Sequence, residues 1–419
     1  MKKFSTPFLV TLVLSLFTGA FAQGPESNYG ITRPRTVTNK PQTKASNHGQ
    51  TSKTQDPAPK TETKNSTPNA VAREDSKRLS PARVRARIEE AERMLKSRPV
   101  PTAITPPSLD YVTVAAFQPE NSHIHLIRIS KENFLTKGSE IPATTMQGLP
   151  VSVRVVRANG VNTAVTIFDE KNRSLVPLVV EFPIERRGVF REMAYYTSAH
   201  PALLSPELSR AGQFYVNSMV DLAAKRLKDK NNPISAHLVE IAKRLCIVEH
   251  VDHDRFRNDN RIALYDEIYS LYALNELDTY RYAVSSAGAG GMVQMIPWTY
   301  ALMRQRHPGV GLNPDFVYGM RNHGNALEAM LLYMQDTWND LSANEDVQAA
   351  LSAKQITIPE LMAAGYNSNA AKIPGYIRRA GADWRYLIPR ETQIYLQIYQ
   401  SLDVLTKAKE NHARKMQKR

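Results

Sequence analysis

The chain has 419 residues, 42% of them apolar, and one cysteine. That length can bury the cores of two domains, while a single cysteine excludes an internal disulfide, so packing must stabilise the fold. The formal net charge of +14 favours anionic partners. Nucleic acid is excluded as a partner, because no basic motif is interleaved with aromatic residues.

Residues 1–22 have the three parts of a secretory signal peptide. Met1-Lys2-Lys3 is a short basic start, residues 7–21 are apolar, and Ala20-Phe21-Ala22 offers small residues at a cleavage site. The alternative, an uncleaved membrane anchor, fits less well because the apolar run is short. No other stretch is apolar enough to span a bilayer. We therefore expect a soluble protein, exported to the periplasm or cell envelope, with no transmembrane span after cleavage.

Residues 23–80 are rich in Thr, Ser, Pro and Lys, with Tyr29 as their only aromatic residue. Such a segment cannot bury enough apolar surface to offset the entropy of ordering, so we expect a disordered basic tether. Ser80-Pro81 then supplies a helix cap and a proline at the first helical position. We expect a basic amphipathic helix within residues 81–107, as a solvated lead-in rather than a membrane-contacting helix.

The period of the apolar residues changes to two between residues 108 and 190, which predicts a small β domain. Asn159-Gly160 is a strong hairpin signal, and Pro177 predicts that the last strand lies at an edge. Five or more short strands favour an antiparallel β sandwich or barrel, for which the sequence supports at most a docking or scaffold role. The predicted strands are residues 111–114, 123–129, 151–156, 163–168 and 175–182.

Residues 200–407 have the apolar spacing of helices throughout. The predicted helices are residues 205–227, 235–250, 262–274, 326–341, 358–364 and 391–407, and a frayed basic tail follows at residues 408–419. Cys246 and the helically spaced Tyr265, Tyr269 and Tyr272 fit buried core positions better than chemical roles. The predicted fold class is therefore α+β, with a small antiparallel β domain followed by a mainly α domain.

One acid, Glu276, stands at the end of a predicted helix and directly before a loop of Ser, Ala and Gly. A small-residue loop lets another molecule approach the backbone closely. The negative end of the helix dipole and apolar neighbours would favour a protonated carboxyl near neutral pH, as a general acid requires. Taken alone, however, the charge pattern is more typical of an exposed glutamate at a helix end.

Four ordered blocks of residues add a more specific signal. In the first, Glu276 is followed in register by Ala283-Val284-Ser285, Gly288-Ala289, Gly291, Gln294 and Pro297. The other three are Asn325-Ala326-Leu327 with Tyr333-Met334, Ala364-Gly365-Tyr366-Asn367, and Arg390-Glu391-Thr392 with Tyr395. Together they resemble the soluble lytic transglycosylase (SLT) family, whose blocks read E-S-x-F-x-P-x-A-V-S-x-x-G-A-x-G-L-M-Q-x-M-P-x-T, N-x-x-x-G-x-x-Y-L, A-Y-N and R-E-T-x-x-Y.

The resemblance implies a lysozyme-like domain that cleaves peptidoglycan between N-acetylmuramic acid and N-acetylglucosamine and leaves a 1,6-anhydro end. Glu276 would be the single catalytic acid and base, because attack by the sugar's own C6 hydroxyl needs no second carboxylate. The implied substrate-binding residues are Ser285, Gln294, Met295, Tyr366 and Asn367. Peptidoglycan glycan strands are the implied partner and an anionic cell-wall surface is a further candidate, whereas no cofactor or metal is implied.

Two other functions stay open at this stage. Leu277 stands where the family has Ser, and Ser368-Asn369 replaces its Ala-Gly, which favours a non-catalytic peptidoglycan-binding or assembly module. A hydrolysing muramidase would need a second carboxylate roughly 5–9.5 Å from Glu276. Asp278, two residues further on, should not share a helix face with Glu276.

Glu249 is the second candidate for the acid, although no small-residue loop follows it. It opens the run Glu249-His250-Val251-Asp252-His253-Asp254, whose spacing matches no zinc signature. His123 and His125 share a strand face but have no third ligand nearby, so we predict no metal site there either. Trp298 is a candidate for stacking on a sugar ring or, equally, for core packing.

Overall fold

The structure, a computed structural model, describes residues 80–98 and 107–417, with side chains as far as residue 408. The predicted signal peptide and nearly all of the predicted tether lie outside the described residues. Within the described ranges no helix is long and apolar enough to cross a membrane. The architecture is mixed α+β: one helix comes first in the described part, a curled antiparallel sheet follows, and most of the helices come after the sheet.

Helix α1 (Pro81–Lys96) begins where the sequence predicts, and the Ser80 hydroxyl accepts a hydrogen bond from the Arg83 amide at 3.4 Å. Its buried residues are Val84, Ile88, Ala91 and Leu95. They form an apolar stripe at helical spacing that packs against the side of the sheet carrying Ala115 and Phe117. The helix is therefore part of the folded body, and the prediction of a solvated lead-in is wrong.

Seven antiparallel strands form one sheet in the order β2-β1-β6-β5-β4-β3, and β7 also pairs with β6. The strands are β1 (Tyr111–Gln118), β2 (His123–Ser130), β3 (Glu140–Thr144), β4 (Pro150–Arg157), β5 (Ala164–Asp169), β6 (Ser174–Arg186) and β7 (Val189–Tyr196). A one-turn helix, α2 (Lys131–Phe134), follows β2. Of the predicted sandwich or barrel, the structure is closer to the barrel: the strands make a single curled sheet, a half-barrel, and not two packed sheets.

Strand β6 is central, which contradicts the edge position predicted from Pro177. Along its 13 residues it pairs first with β5, then with β1 and finally with β7. At Pro177 itself the strand pairs with β1 alone, because its pairing with β5 ends at Leu175 and its pairing with β7 begins at Val180, and the register with β1 shifts beside the proline. A β-bulge is a place where a strand can do without one amide donor.

Two hairpins in the sheet differ in how well the sequence predicts them. The Asn159-Gly160 signal does lie between paired strands β4 and β5, but the connection spans residues 158–163 and contains a 3₁₀ turn (Gly160–Asn162). Strand β7 was not predicted. It follows a tight turn in which Arg187 and Gly188 both have positive φ, 57° and 72°, a geometry that Asn-Gly or Asp-Gly forms more often.

The helices that follow the sheet in the described part are α3 (Pro206–Asp229), α4 (Ala236–Val248), α5 (His253–Asn258), α6 (Arg261–Asn275), α7 (Pro297–Arg306), α8 (Phe316–Arg321), α9 (His323–Ser342), α10 (Glu345–Ser352), α11 (Ile358–Asn367), α12 (Ile373–Ala380) and α13 (Arg390–Gln417). The predicted helices correspond to α3, α4, α6, α9, α11 and α13, while the short helices between them were missed. Helix α13 continues to Gln417 through the predicted frayed tail, because Lys, Ala, Glu, Arg and Gln are all strong helix formers.

Buried apolar side chains form two clusters. The larger joins one side of the sheet, with Val114, to the interior of the helical part, with Cys246. Tyr265, Tyr269 and Tyr272 are also buried in it, which confirms their core assignment. The smaller cluster lies between α1 and the opposite side of the sheet, and it includes Leu208 at the start of α3 and Ala273 at the end of α6.

A nearly buried ion-pair triad also joins the sheet to the helices. Glu267 on α6, with 14% of its side chain exposed, accepts hydrogen bonds from Arg157 at the end of β4 and from Arg255 on α5 at 2.9–3.2 Å. Burial alone would raise the pKa of Glu267, but the two guanidinium groups outweigh it and hold that pKa below its ordinary value. The last turns of α6 are thus fixed relative to the sheet.

Candidate active site

Helix α6 ends at Asn275, and Glu276 follows with φ 46° and ψ −118°, a conformation that residues other than glycine rarely adopt. A short 3₁₀ turn (Glu276–Asp278) comes next. Tyr280 and Gln294, further along the same segment, also have positive φ. Such positions cost of order 1–3 kcal/mol each and persist only where the surrounding structure holds them. Residues 276–294 therefore concentrate backbone strain.

The side chain of Glu276 is exposed, and Leu277 beside it is 60% exposed. The apolar surroundings expected around this acid are therefore not what the fold provides. The charge of Glu276 still acts on its neighbour Tyr215 on α3. Burial is the main reason that the pKa of the Tyr215 hydroxyl is raised, and the charges of Glu276 and Asp278 raise it further.

The turn that carries Glu276 is tied to the sheet at both ends. Before it, the Asn275 side chain accepts a hydrogen bond from the Thr197 amide and donates one to the Thr197 carbonyl, each at 2.8 Å. After it, Arg281 donates to Asp278 at 3.1 Å and to Glu192 on β7 at 3.1 Å. These contacts place the turn against β7 and the residue that follows β7.

A third set of contacts holds the turn from the helical side. The buried Thr279 hydroxyl donates to the Leu271 carbonyl at 3.1 Å. The carbonyl of Thr279 lies 2.8 Å from Nε2 of His323. Nδ1 of the same histidine lies 2.9 Å from the Tyr215 hydroxyl. Burial lowers the pKa of His323 to about 4, so the ring is neutral near pH 7 and donates through Nε2.

The small-residue loop is a compact, hydrogen-bonded unit. The Ser285 amide donates to the Ala289 carbonyl at 2.8 Å, and the Ser285 hydroxyl accepts from the Ala289 amide at 3.0 Å. Gly291 has φ 68°, and a Cβ added there would lie 2.3 Å from the Met320 carbonyl oxygen. Only glycine fits at that position, because both the backbone angle and the contact with α8 exclude a side chain.

The predicted binding residues after this loop lie in different environments. Gln294 is half-buried, and its side-chain amide donates to the Gly291 carbonyl at 2.8 Å. Met295 is 3% exposed and belongs to the larger core cluster. Trp298 is 70% exposed, so core packing is excluded for it, and its ring is available for stacking.

Tyr366 and Asn367 close helix α11, and both are half-buried. The Tyr366 hydroxyl donates to the Val293 carbonyl at 2.7 Å. This bond brings Tyr366 to the residue directly before Gln294, so the fold joins two of the blocks that are distant in sequence. Burial is the main reason that the pKa of Tyr366 lies well above its ordinary value, and the nearby charge of Glu249 adds to the rise.

Glu249, the second candidate for the acid, caps the end of α4 and is 7% exposed. It accepts a hydrogen bond from the Tyr395 hydroxyl at 2.6 Å. The next residue, His250, stacks on Tyr280 with ring centroids 3.4 Å apart and lies 2.9 Å from the Met292 carbonyl. Glu249 and His250 therefore link α4 to α13 and to the segment after Glu276, and Glu249 lies near tyrosines of two of the SLT-like blocks, Tyr395 and Tyr366.

The histidine pair on β2 is also held by protein contacts. Nε2 of the buried His125 lies 3.0 Å from the Gln118 side chain. Burial and, to a smaller extent, the neighbouring His123 lower the pKa of His125. Among the residues that the structure describes, no group of three or more His, Cys, Asp or Glu side chains is arranged to hold a metal ion.

Two cavities in the described part of the chain lie away from these residues. The smaller, of about 10 Å³, lies between α3, α6 and α13 beside Tyr265 and Tyr269. The larger, of about 490 Å³, is an open groove over β3, β4 and the end of β5. Neither is lined by a predicted site residue. Glu276 lies on an exposed turn.

Sequence reasoning missed the residues that hold the turn, namely Asn275, Thr197, Glu192 and His323. Asn275 stands next to the acid but looked like an ordinary helix-end residue, and its partner is 78 positions earlier in the chain. Glu192 could have been noticed as a charged residue in the middle of a strand, but only if β7 had been predicted.

Comparison with known proteins finds no matching family model, no matching curated protein and no matching solved structure.

Proposed function

We propose that this chain is an exported peptidoglycan lytic transglycosylase, with a lysozyme-like helical domain and Glu276 as its single acid and base. It would act in the periplasm or cell envelope on glycan strands and form 1,6-anhydro-N-acetylmuramic acid ends. One observation carries the proposal: the carboxylate in register with the SLT family's acid is exposed on a strained turn that leads into the glycine loop. Strain of this kind clusters at active sites.

The proposed reaction has two proton transfers at one carboxyl group. A bound glycan strand would cover the exposed turn and exclude water from it, which favours the protonated form of the Glu276 carboxyl. Glu276 then gives its proton to the glycosidic oxygen, and the bond from that oxygen to C1 of N-acetylmuramic acid breaks. The C6 hydroxyl of the same sugar attacks C1, and the Glu276 carboxylate takes up the hydroxyl proton. Because the attack is intramolecular, it gains by proximity and consumes no water.

The environment of Asp278 supports this chemistry over hydrolysis. A hydrolysing muramidase needs a second carboxylate to act as nucleophile or base. Asp278 is the acid nearest to Glu276 in sequence, and its Oδ1 accepts a hydrogen bond from Arg281. An oxygen that already accepts this hydrogen bond is less available to attack the sugar or to activate a water molecule.

Contacts with the glycan would come from side chains that solvent reaches. Ser285, Gln294, Tyr366 and Asn367 are all partly exposed, and Trp298 offers an exposed ring that can stack on a sugar. Met295 would support this surface from the core. The positive net charge would add attraction to anionic wall polymers.

The test is digestion of purified sacculi by the mature protein, followed by analysis of the released muropeptides. We expect anhydro ends from the wild type and none from Glu276→Gln, while Glu249→Gln and Asp278→Asn, if folded, still produce them. Reducing ends in place of anhydro ends would identify a muramidase. Intact sacculi that still bind the protein would identify the non-catalytic module. Loss of activity in Glu249→Gln alone would transfer the acid to Glu249.

A further inference from the structure

We infer that strand β7, with Thr197 directly after it, positions the catalytic turn, and that Asn275 and Glu192 are positioning residues for Glu276. This inference rests on the proposed function, because it assigns the sheet a task in the same reaction. None of the predicted site residues lies on the sheet. Its contacts with the turn are specific and occur on both sides of the acid.

The first contact fixes the residue before Glu276. The Asn275 side chain makes a reciprocal pair of hydrogen bonds with the Thr197 backbone, both at 2.8 Å. A pair of this kind fixes both the position and the orientation of the amide plane. The strained φ of Glu276 begins at the next residue, so any rotation at Asn275 would redirect the carboxylate.

The second contact fixes the residues after Glu276. Glu192 accepts hydrogen bonds from Arg281 at 3.1 Å and from Arg321 at 2.7 Å. Arg281 passes this constraint to Asp278, the last residue of the turn, through a bond of 3.1 Å. The side chain of Arg321 is only 12% exposed and that of Glu192 is 32% exposed, so the network is partly shielded from solvent.

Apolar packing also holds the end of α6 against the sheet. Ala273, two residues before Asn275, is buried in the cluster that includes α1 and the side of the sheet facing it. Leu274 packs against the same cluster. The last turn of α6 therefore has both polar and apolar contacts with the sheet, and neither set depends on the small-residue loop.

The consequence concerns the rate of the chemical step. A side chain misplaced by about 1 Å can cost roughly 100-fold in rate, because proton transfer depends steeply on geometry. Substrate affinity depends on the loop and on the aromatic side chains, which β7 does not contact through these bonds. Loss of the Asn275–Thr197 bonds or of the Arg281–Glu192 bond should therefore lower kcat and leave KM nearly unchanged.

The experiment compares Asn275→Ala and Glu192→Gln with a control variant, Ser209→Ala, which removes a different contact to α6. That control removes a bond of 2.6 Å from α3 to Asp266 on α6, roughly 15 Å along the helix from Glu276. Kinetics on soluble glycan strands, corrected for the folded fraction, should show at least a tenfold lower kcat in both test variants. KM should stay within about twofold, and Ser209→Ala should keep the wild-type kcat.

Hydrogen exchange gives a second measurement that does not need activity. The amides of Thr279 and Arg281 donate to the carbonyls of Glu276 and Asp278, so they should exchange at least about tenfold faster in the two test variants and not in Ser209→Ala. An unchanged kcat with unchanged exchange, or equal changes in all three variants, overturns the inference. If the wild type releases no anhydro ends, the proposed function fails, and unchanged exchange would also remove the structural role of β7.

Discussion

Acid should destabilise this protein through one histidine that the fold keeps neutral. His323, at the start of α9, is 1% exposed and bridges the Tyr215 hydroxyl and the Thr279 carbonyl. Burial lowers its pKa from 6.5 to about 4, the Thr279 carbonyl opposes that shift, and the charge of Arg281 adds to it. The ring of Tyr272 on α6 also faces His323, but a neutral phenol has no negative charge that would stabilise a protonated imidazole.

The size of the effect follows from the difference between the pKa of His323 in the folded protein and its ordinary value in the unfolded chain. Between pH 6.5 and 4 the unfolded chain binds a proton at this position and the folded protein does not, so stability falls as the pH falls. A drop from 6.5 to about 4, at 1.36 kcal/mol for each pKa unit, gives a loss of about 3 kcal/mol. Above pH 6.5 His323 should contribute no pH dependence.

The measurement is urea unfolding of the wild type and His323→Gln between pH 7.5 and 4, followed by tryptophan fluorescence, for which the fully buried Trp384 is the reporter. The glutamine cannot be protonated, so the difference in unfolding free energy between the two proteins should shift by about 3 kcal/mol across this range. A difference that stays constant to within about 0.5 kcal/mol would refute the reasoning. It would mean that water reaches the ring in the native state.

Three further predictions concern packing, the ion-pair triad and the thiol. Gly212→Ala should abolish folding, because the added Cβ would lie 1.7 Å from the Tyr269 carbonyl oxygen. Gly375→Ala is the control and should fold normally, because nothing lies within 4 Å of its added Cβ. Circular dichroism of the purified variants measures the outcome. Glu267→Gln should cost about 3–5 kcal/mol in urea unfolding at pH 7. The difference should begin to shrink below pH 4.5, the ordinary pKa of this carboxyl, and should be lost as the pH falls through its lower pKa in the folded protein; a pH-independent difference would contradict this. Cys246 is buried and burial raises its pKa, so a thiol reagent should label it only after denaturation; rapid labelling of the native protein would show that it is accessible.

The elements that the sequence predicted best are those in which one local pattern decides the structure. Helix α6 is apolar along most of its length and ends at Asn275, one residue beyond the predicted end at residue 274. The side chains of β4 alternate between buried and exposed, and the Ser205 hydroxyl accepts a bond from the Leu208 amide at the start of α3. In each of these cases the deciding contacts are close in sequence.

The errors occur where a distant contact overrides the local pattern. Pro177 lies in a strand that is central in the sheet, but at a position that pairs with β1 alone and lies beside a shift in register. The apolar stripe of α1 has a partner only once the sheet is formed. At the candidate site the sequence picked out Glu276, but not its exposure or its strained backbone. Both depend on contacts with residues such as Thr197 and Glu192, which are about eighty positions away.

The position of α1 also decides where the folded protein can be shortened. A boundary drawn at the first strand would discard Val84, Ile88, Ala91 and Leu95, and would expose Phe117 and Leu178 on the sheet to water. An exposed apolar surface of this kind promotes aggregation. A shortened version, or one joined to another protein at its amino end, should therefore begin ahead of Ser80, and the removable part of the chain is smaller than its composition indicates.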